Sequence, residues 1–198
     1  MKQNKLMKHL KRVARVNKNR PMLSCVNYNK NGSLYATDTH RVIAVDGFHN
    51  YGNDVNINVR TLEINDERFP DISRIIPSTD NGQVKLLTED LFEISKLFKK
   101  YNVENPVRLV ITKNEITFSD RRFSISVPIL SCNGGIEISF QGRYLFEAFD
   151  FVRDAQDYVK TGQVTTIYYN SSIRPVLIDS GNGYKYILTP VITPKGRR

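Results

Sequence analysis

Apolar residues recur at helical spacing in three places along the chain. Leu6, Leu10 and Val13 form one stripe and predict a helix over 6–15. Leu91, Ile94, Leu97 and Phe98 form a second stripe, over 89–101, with Thr88 as its N-cap. Leu145, Ala148, Phe149 and Val152 form the third, over 144–155. Between the stripes lie short runs rich in β-branched and aromatic residues, which predict strands. The first helix is followed by strands over 22–28, 34–37, 41–48 and 55–64. A strand over 84–87 precedes the second helix, and strands over 107–111, 116–119 and 123–128 follow it. A strand over 136–140 precedes the third, followed by 164–169, 176–179 and 184–191. Asn31-Gly32 and Gly181-Asn182-Gly183 are hairpin turn signals. Residues 68–78 hold two prolines and read as an extended connector, the candidate domain boundary.

One unit, a helix followed by three antiparallel strands, therefore occurs three times. The repeat is visible in the residues as well. NRPMLSCVNYNKNGSLYATD in the first copy runs parallel to ENPVRLVITKNEITFSD in the second. Repetition at this scale decides the fold before any single element does. Helices set against antiparallel sheet give the α+β class.

Charge changes the picture next. The net charge is +9, and all of the excess lies at one end. The first 37 residues hold Lys2, Lys5, Lys8, Lys11, Arg12, Arg15, Lys18, Arg20 and Lys30 and no acid. Such a patch suits a polyanion, either nucleic acid or an anionic membrane surface. Composition, at 40% apolar and 25% charged, is that of a soluble globular protein, and no apolar run approaches the ~20 residues that span a bilayer. The basic N-terminus lacks the apolar stretch of a signal peptide, so a cytoplasmic location is expected. Cys25 and Cys132 read as reduced, half-buried thiols. His9, His40 and His49 stand at no metal-ligand spacing, and Gly181-Asn182-Gly183 lacks the lysine of a phosphate loop. His40 near Asp38 has no nucleophile to serve. No enzyme activity and no cofactor are expected.

Three stretches resemble the bacterial β sliding clamp of DNA polymerase III. LYATDTHRVIAV, at 34–45, is similar to the family's ATDGHRLA segment. RFPDISRIIP, at 68–77, is similar to its FPDYRRVLP connector, and YILTPV, at 186–191, to its terminal YVVMPM strand. Their order and spacing make the match specific. The resemblance implies a clamp-type fold of about one and a half clamp domains: a half domain over 1–67, equivalent to the first unit of the family's middle domain, a connector over 68–82, and a complete C-terminal domain over 83–198. The family's N-terminal domain has no counterpart.

The same resemblance implies a function, a processivity factor that tethers a polymerase or other replication proteins to double-stranded DNA. Partner peptides enter a cleft lined here by Thr37, His40, Arg41 and Val42, by Pro70 and Ile75, and by Ile187, Thr189, Pro190 and Val191. Val42, Pro70, Ile75, Ile187, Pro190 and Val191 would supply an apolar floor, with Thr37, His40 and Arg41 orienting the peptide. Thr39 stands where the family usually has Gly, and Thr189 where it often has Met. DNA would meet Lys5, Lys8, Lys11, Arg12 and Arg15 on the first helix, Lys96, Lys99 and Lys100 on the second and Arg143 on the third, through phosphates and without base reading. The family's ring has twelve units, so three per chain would close with four copies, a homo-oligomer. The alternative is a module or decoy that captures clamp-binding peptides without encircling DNA. Richness in Asn, Lys and Ile points to an AT-rich genome such as that of a bacteriophage, placing the protein in a bacterial or phage-infected host cell.

Overall fold

The computed structural model describes residues 1–79, 81–156 and 162–192. In chain order the first unit comprises α1 (Gln3–Val13), a 3₁₀ turn at Pro21–Ser24, β1 (Cys25–Tyr28), β2 (Leu34–Thr37), β3 (Arg41–Val45), β4 (Val55–Asn58) and β5 (Ile64–Asn65). A second 3₁₀ turn, Ile72–Arg74, lies in the connector. The second unit comprises β6 (Gly82–Leu87), α2 (Thr88–Lys100), β7 (Pro106–Ile111), β8 (Glu115–Ser119), β9 (Ser124–Pro128) and β10 (Ser131–Asn133). The third comprises β11 (Ile136–Gln141), α3 (Gly142–Ala155), β12 (Val164–Tyr169), β13 (Val176–Asp179) and β14 (Tyr184–Leu188).

The strands form two antiparallel sheets. Ten strands run in the order β10-β6-β12-β13-β14-β3-β2-β1-β4-β5, and four in the order β11-β7-β8-β9. The leading strands cross over. β6 enters α2 but pairs with β12 of the third unit, and β11 enters α3 but pairs with β7 of the second. In the first unit β4 pairs with β1 in the place that a leading strand holds beside β7 or β12. β14 joins β3 directly, with Ile187 opposite Val42 and Tyr186 opposite Ile43. The first and third units thus share one continuous sheet.

Strand alternation assigns the two faces of this sheet. Ile43, Val45, Leu34, Ala36, Tyr186, Leu188, Val176 and Ile178 face the helices and join one core with Leu6, Leu10, Val13, Leu91, Ile94, Leu145 and Phe149. Val42, Ala44, Leu177 and Ile187 face outward and form a second, smaller cluster with Ile72 of the connector. No helix among the described residues is long and apolar enough to cross a membrane.

Several expectations need correction. The run 22–28 is a strand only from Cys25, because Pro21 starts a 3₁₀ turn that it cannot leave as a ladder donor. The run 55–64 is two strands joined by a tight reversal at Leu62, whose φ is 64°. Thr88 does not cap α2. Leu87 holds the N-cap position, and the buried Thr88 hydroxyl pairs with that of Thr165 at 2.8 Å. Cys25 is fully buried, and burial pushes its thiol pKa up, helped by Glu67. The strand expected over 184–191 ends at Leu188.

Candidate functional site, an outer-face cleft

The connector crosses the outer face of the ten-stranded sheet. Its turn at Ile72–Arg74 forms because Asp71 caps it, accepting from the Ser73 backbone N–H at 3.1 Å and from its hydroxyl at 2.6 Å. The turn drives Ile72 onto Val42 and Ile187, with Tyr35, Phe69, Ile76 and Tyr168 packed around them. Three stretches that lie far apart in the chain therefore meet in one apolar cluster. Beside it opens a cleft of about 460 Å³, whose lining includes Pro21, Met22 and Leu23 of the first unit and Pro70, Ile72 and Ile75 of the connector. Thr37 and Thr39 also line it.

The sequence-derived residues divide into four groups. Thr37, Pro70 and Ile75 line the cleft, and Ile75 is 38% exposed. Val42 and Ile187 lie in the cluster beneath the connector, each 1% exposed. His40, Thr189, Pro190 and Val191 are gathered at the end of the β3–β14 pair, outside that cavity. There the Thr189 N–H donates to the His40 carbonyl at 2.9 Å and the Val191 N–H to that of Ser139 at 2.8 Å. The His40 ring stacks on Tyr144 with 6.2 Å between centroids.

Arg41 stands apart. As the neighbour of outward-facing Val42, it points into the helix layer, where its side chain is fully buried. It donates to Asp38 at 2.8 Å, to Glu147, and to the Arg12 carbonyl at 2.9 Å, and its guanidinium lies 4.3 Å from the Tyr144 ring centroid. Burial works against its charge, but Tyr186, Glu147 and Asp38 more than offset it, and its pKa is raised. Arg41 ties β3 to α1 and α3 from behind, and does not line the cleft. Met22, Leu23 and Ile72 were missed as cleft residues. Pro21 beside two large apolar residues was the available signal for the first two.

The basic residues also find partners that local sequence does not reveal. Lys5 bonds Asp154 at 2.8 Å, Arg12 bonds Asp150 at 2.5 Å, and Arg15 lies 4.0 Å from Glu147. These acids come from α3. Arg143 pairs with Glu147 at 3.1 Å and Lys96 with Glu93 at 2.6 Å. The Lys100 ammonium lies 5.7 Å from the Tyr101 ring centroid. Lys8, Lys11 and Lys99 are exposed and carry no ion pair among the described residues.

Comparison with known proteins bears on the fold. No family model and no curated protein sequence matches the chain. Solved structures do. The DNA polymerase sliding clamp of Bacillus subtilis is 18% identical with a TM-score of 0.77, over 96% of this chain and 62% of that one. The DNA polymerase III β chain of Streptococcus pneumoniae is 18% identical with a TM-score of 0.73, over the same shares. The Helicobacter pylori β clamp, solved bound to a DNA ligase peptide, is 16% identical with a TM-score of 0.72, over 95% of this chain and 62% of that one. The chain thus spans about 62% of the length of these clamps. It has the fold of the DNA polymerase sliding clamps, over about one and a half clamp domains.

Proposed function

We propose that the chain is a sliding-clamp-like accessory protein of DNA replication and not an enzyme. Its outer-face cleft takes a short extended peptide with leucine or phenylalanine anchors, supplied by a polymerase or another replication protein. Its helical face meets double-stranded DNA through phosphates alone, with Lys8, Lys11 and Lys99 as the cations most free to do so. The division into a half domain over 1–67, a connector over 68–82 and a complete domain over 83–198 belongs to this reading, as do assembly into a homo-oligomer and action in the bacterial or phage-infected cytoplasm.

The observation that supports the cleft is the meeting of Val42, Ile72 and Ile187 in one cluster beside a cavity lined by Thr37, Pro70 and Ile75. An apolar concavity with few polar groups is the form such sites take. The test is fluorescence anisotropy with a labelled hexapeptide ending in Leu-Phe. Ile75→Asp is expected to weaken binding by tenfold or more, since it places a carboxylate where an apolar anchor must be desolvated, at a cost of ~2 kcal/mol or more. Ile75 is half exposed enough for the fold to survive. Unchanged affinity would remove the cleft assignment.

A second reading, a peptide-capturing module that never encircles DNA, is favoured by one observation. Glu147, Asp150 and Asp154 of α3 take up Lys5, Arg12 and Arg15, which weakens the positive field of the helical face. Retention on circular DNA with loss on linearisation supports the clamp. Loss from both, with peptide binding intact, supports the capturing module.

A further inference from the structure

A larger cavity of about 840 Å³ lies next to the cleft on the same outer face. The two share Glu67, Arg68, Pro70, Asp71 and Ile72, so the start of the connector is the wall between them. Its floor is polar. Asn56 of β4 donates through Nδ2 to the carbonyls of Asn65 at 3.2 Å and Glu67 at 2.9 Å, which sets the orientation of its amide. Its Oδ1 accepts from Asn27 Nδ2 at 2.8 Å, which sets the orientation of Asn27 in turn. The donor chain ends at Asn27 Oδ1, a buried acceptor with no hydrogen-bond partner. Asn27 is 2% exposed, and since Val26 beside it faces the main core, Asn27 stands on the cavity side of β1.

The rim has the same character. Asp54, Asp66, Glu67 and Asp71 line it with Lys30 and Arg68, and Asp71 also pairs with Arg74 at 2.9 Å, so four acids against three bases leave a local excess of one negative charge in a chain of net charge +9. Asp66, Glu67 and Arg68 make no ion pair among the described residues, so the cavity's own guanidinium does not neutralise it. Tyr35 and Phe69 bring aromatic rings to the lining, with Val55 and Ile64 beside them. Apart from the two cations Lys30 and Arg68, the unmet groups here are the Asn27 amide oxygen and the carboxylates of Asp66 and Glu67, beside two aromatic rings. A guanidinium answers all of these together: it carries five N–H donors in a plane, it is weakly hydrated, and it stacks on rings. An ammonium offers a more strongly hydrated point charge and no planar face.

We infer that this cavity is a subsite for an arginine side chain of the peptide that occupies the neighbouring cleft. The location of that peptide rests on the cleft reading. The arginine site itself rests on the cavity's own chemistry, and two probes keep the two apart. The first is N-acetyl-arginine methylamide, titrated into the ¹⁵N-labelled full chain and followed on the side-chain amide resonances of Asn27 and Asn56. Both resonances are expected to shift, while N-acetyl-citrulline methylamide, of the same shape without the charge, moves neither at equal concentration. The second probe is the Leu-Phe hexapeptide extended by Arg at one end or the other. One of the two extensions is expected to bind about tenfold more tightly than its citrulline counterpart, the size of a charge-assisted hydrogen-bond set. That gain disappears in the Asp66→Asn, Glu67→Gln double variant, whose positions are exposed and leave the core untouched. Asn27 and Asn56 resonances that ignore arginine, or that answer arginine and citrulline alike, overturn the site whatever the cleft does. An arginine response without any peptide binding leaves the arginine site standing and brings down the cleft reading instead.

Discussion

The second and third units exchange their leading strands, β6 to β12 and β11 to β7, and their helices meet through aromatic rings. Phe98 of α2 lies 6.3 Å from Phe149 of α3, and Phe118 packs edge-on to Phe149 at 5.8 Å. The first unit exchanges no leading strand, and besides the shared core its helix meets α3 through one ring pair, His9 on Phe151 at 5.4 Å, and through charges. Its helix α1 reaches α3 through Lys5, His9 and Arg12, which meet Asp154 and Asp150, while Arg41 reaches up from β3 to Glu147. One face of α3 is therefore apolar and the other carries three buried carboxylates. Apolar contacts tolerate imperfect geometry. Buried ion pairs hold only while every partner is present, since the desolvation cost of each charge is offset by its counter-ion. The β3–β14 ladder and the shared core hold the first unit to the third, but the polar link between α1 and α3 fails abruptly, whereas the aromatic link between α2 and α3 fails gradually.

The largest effect that follows concerns Glu147. Replacing it with Ala leaves the Arg41 guanidinium buried with Asp38 as its remaining carboxylate, and chemical denaturation is expected to show a loss of about 3–5 kcal/mol. Replacing both partners, Arg41→Met with Glu147→Leu, recovers part of that loss because neither charge of the pair remains, while Asp38 keeps the backbone N–H donors of His40 and Arg41. A single variant that costs under ~1 kcal/mol would mean that the first unit is not held by this pair.

How far the chain itself disclosed this arrangement depends on the residue. The three stripes and most strands were legible, because helix and strand periods are local and apolar faces repeat. So was the meeting of 34–45, 68–77 and 186–191, through the resemblance they carry. Arg41 was misplaced although the information was present: in a strand, neighbours face opposite ways, so Arg41 and Val42 cannot both line one cleft. The pairing of α1 with α3 was not legible, since its acids lie some 140 positions away in sequence and nothing local marks Glu147, Asp150 and Asp154 as inward. Absence of acid within 1–37 implied a bare positive face, and long-range contacts removed much of it. The Ile72 turn was hidden by prolines that signal extension on either side of it.

Acid should separate the two regions more gently. Burial opposes the charge on Asp154, but hydrogen bonds from His9 and Lys5 and the charge of Arg153 outweigh it and hold the carboxyl well below the usual carboxylate range. A folded-state pKa lower than the unfolded one gives stability that is present above the unfolded pKa, near 4, and is lost as pH falls through the folded value. On the order of 2 kcal/mol is expected to disappear across that window. Hydrogen exchange should show α1 amides opening at acidic pH before those of α2, and Asp154→Asn should flatten the dependence. Equal opening of both helices would erase the contrast.

The smallest effect lies at the rim of the cleft. Two residues of the first unit, Thr39 and Leu62, hold left-handed backbone with φ of 79° and 64°, whereas the second unit uses Asn102, a type that tolerates it. Thr39 lies in the turn between β2 and β3, where its N–H donates to the Thr37 hydroxyl at 3.1 Å. That bond uses the backbone only, so Thr39→Gly keeps it and removes the clash between Cβ and carbonyl. Glycine gives back part of the gain through the larger entropy of its unfolded chain. The balance is expected to be a stabilisation of about 1 kcal/mol, read as a raised Tm, because a β-branched residue in this region costs ~1–2 kcal/mol. Thr39 also lines the cleft. The same variant should therefore admit a bulkier peptide anchor, with Phe gaining affinity relative to Leu. A higher Tm with an unchanged Phe-to-Leu ratio would show that the strain of the first unit is a matter of its turn alone and does not shape what the cleft accepts.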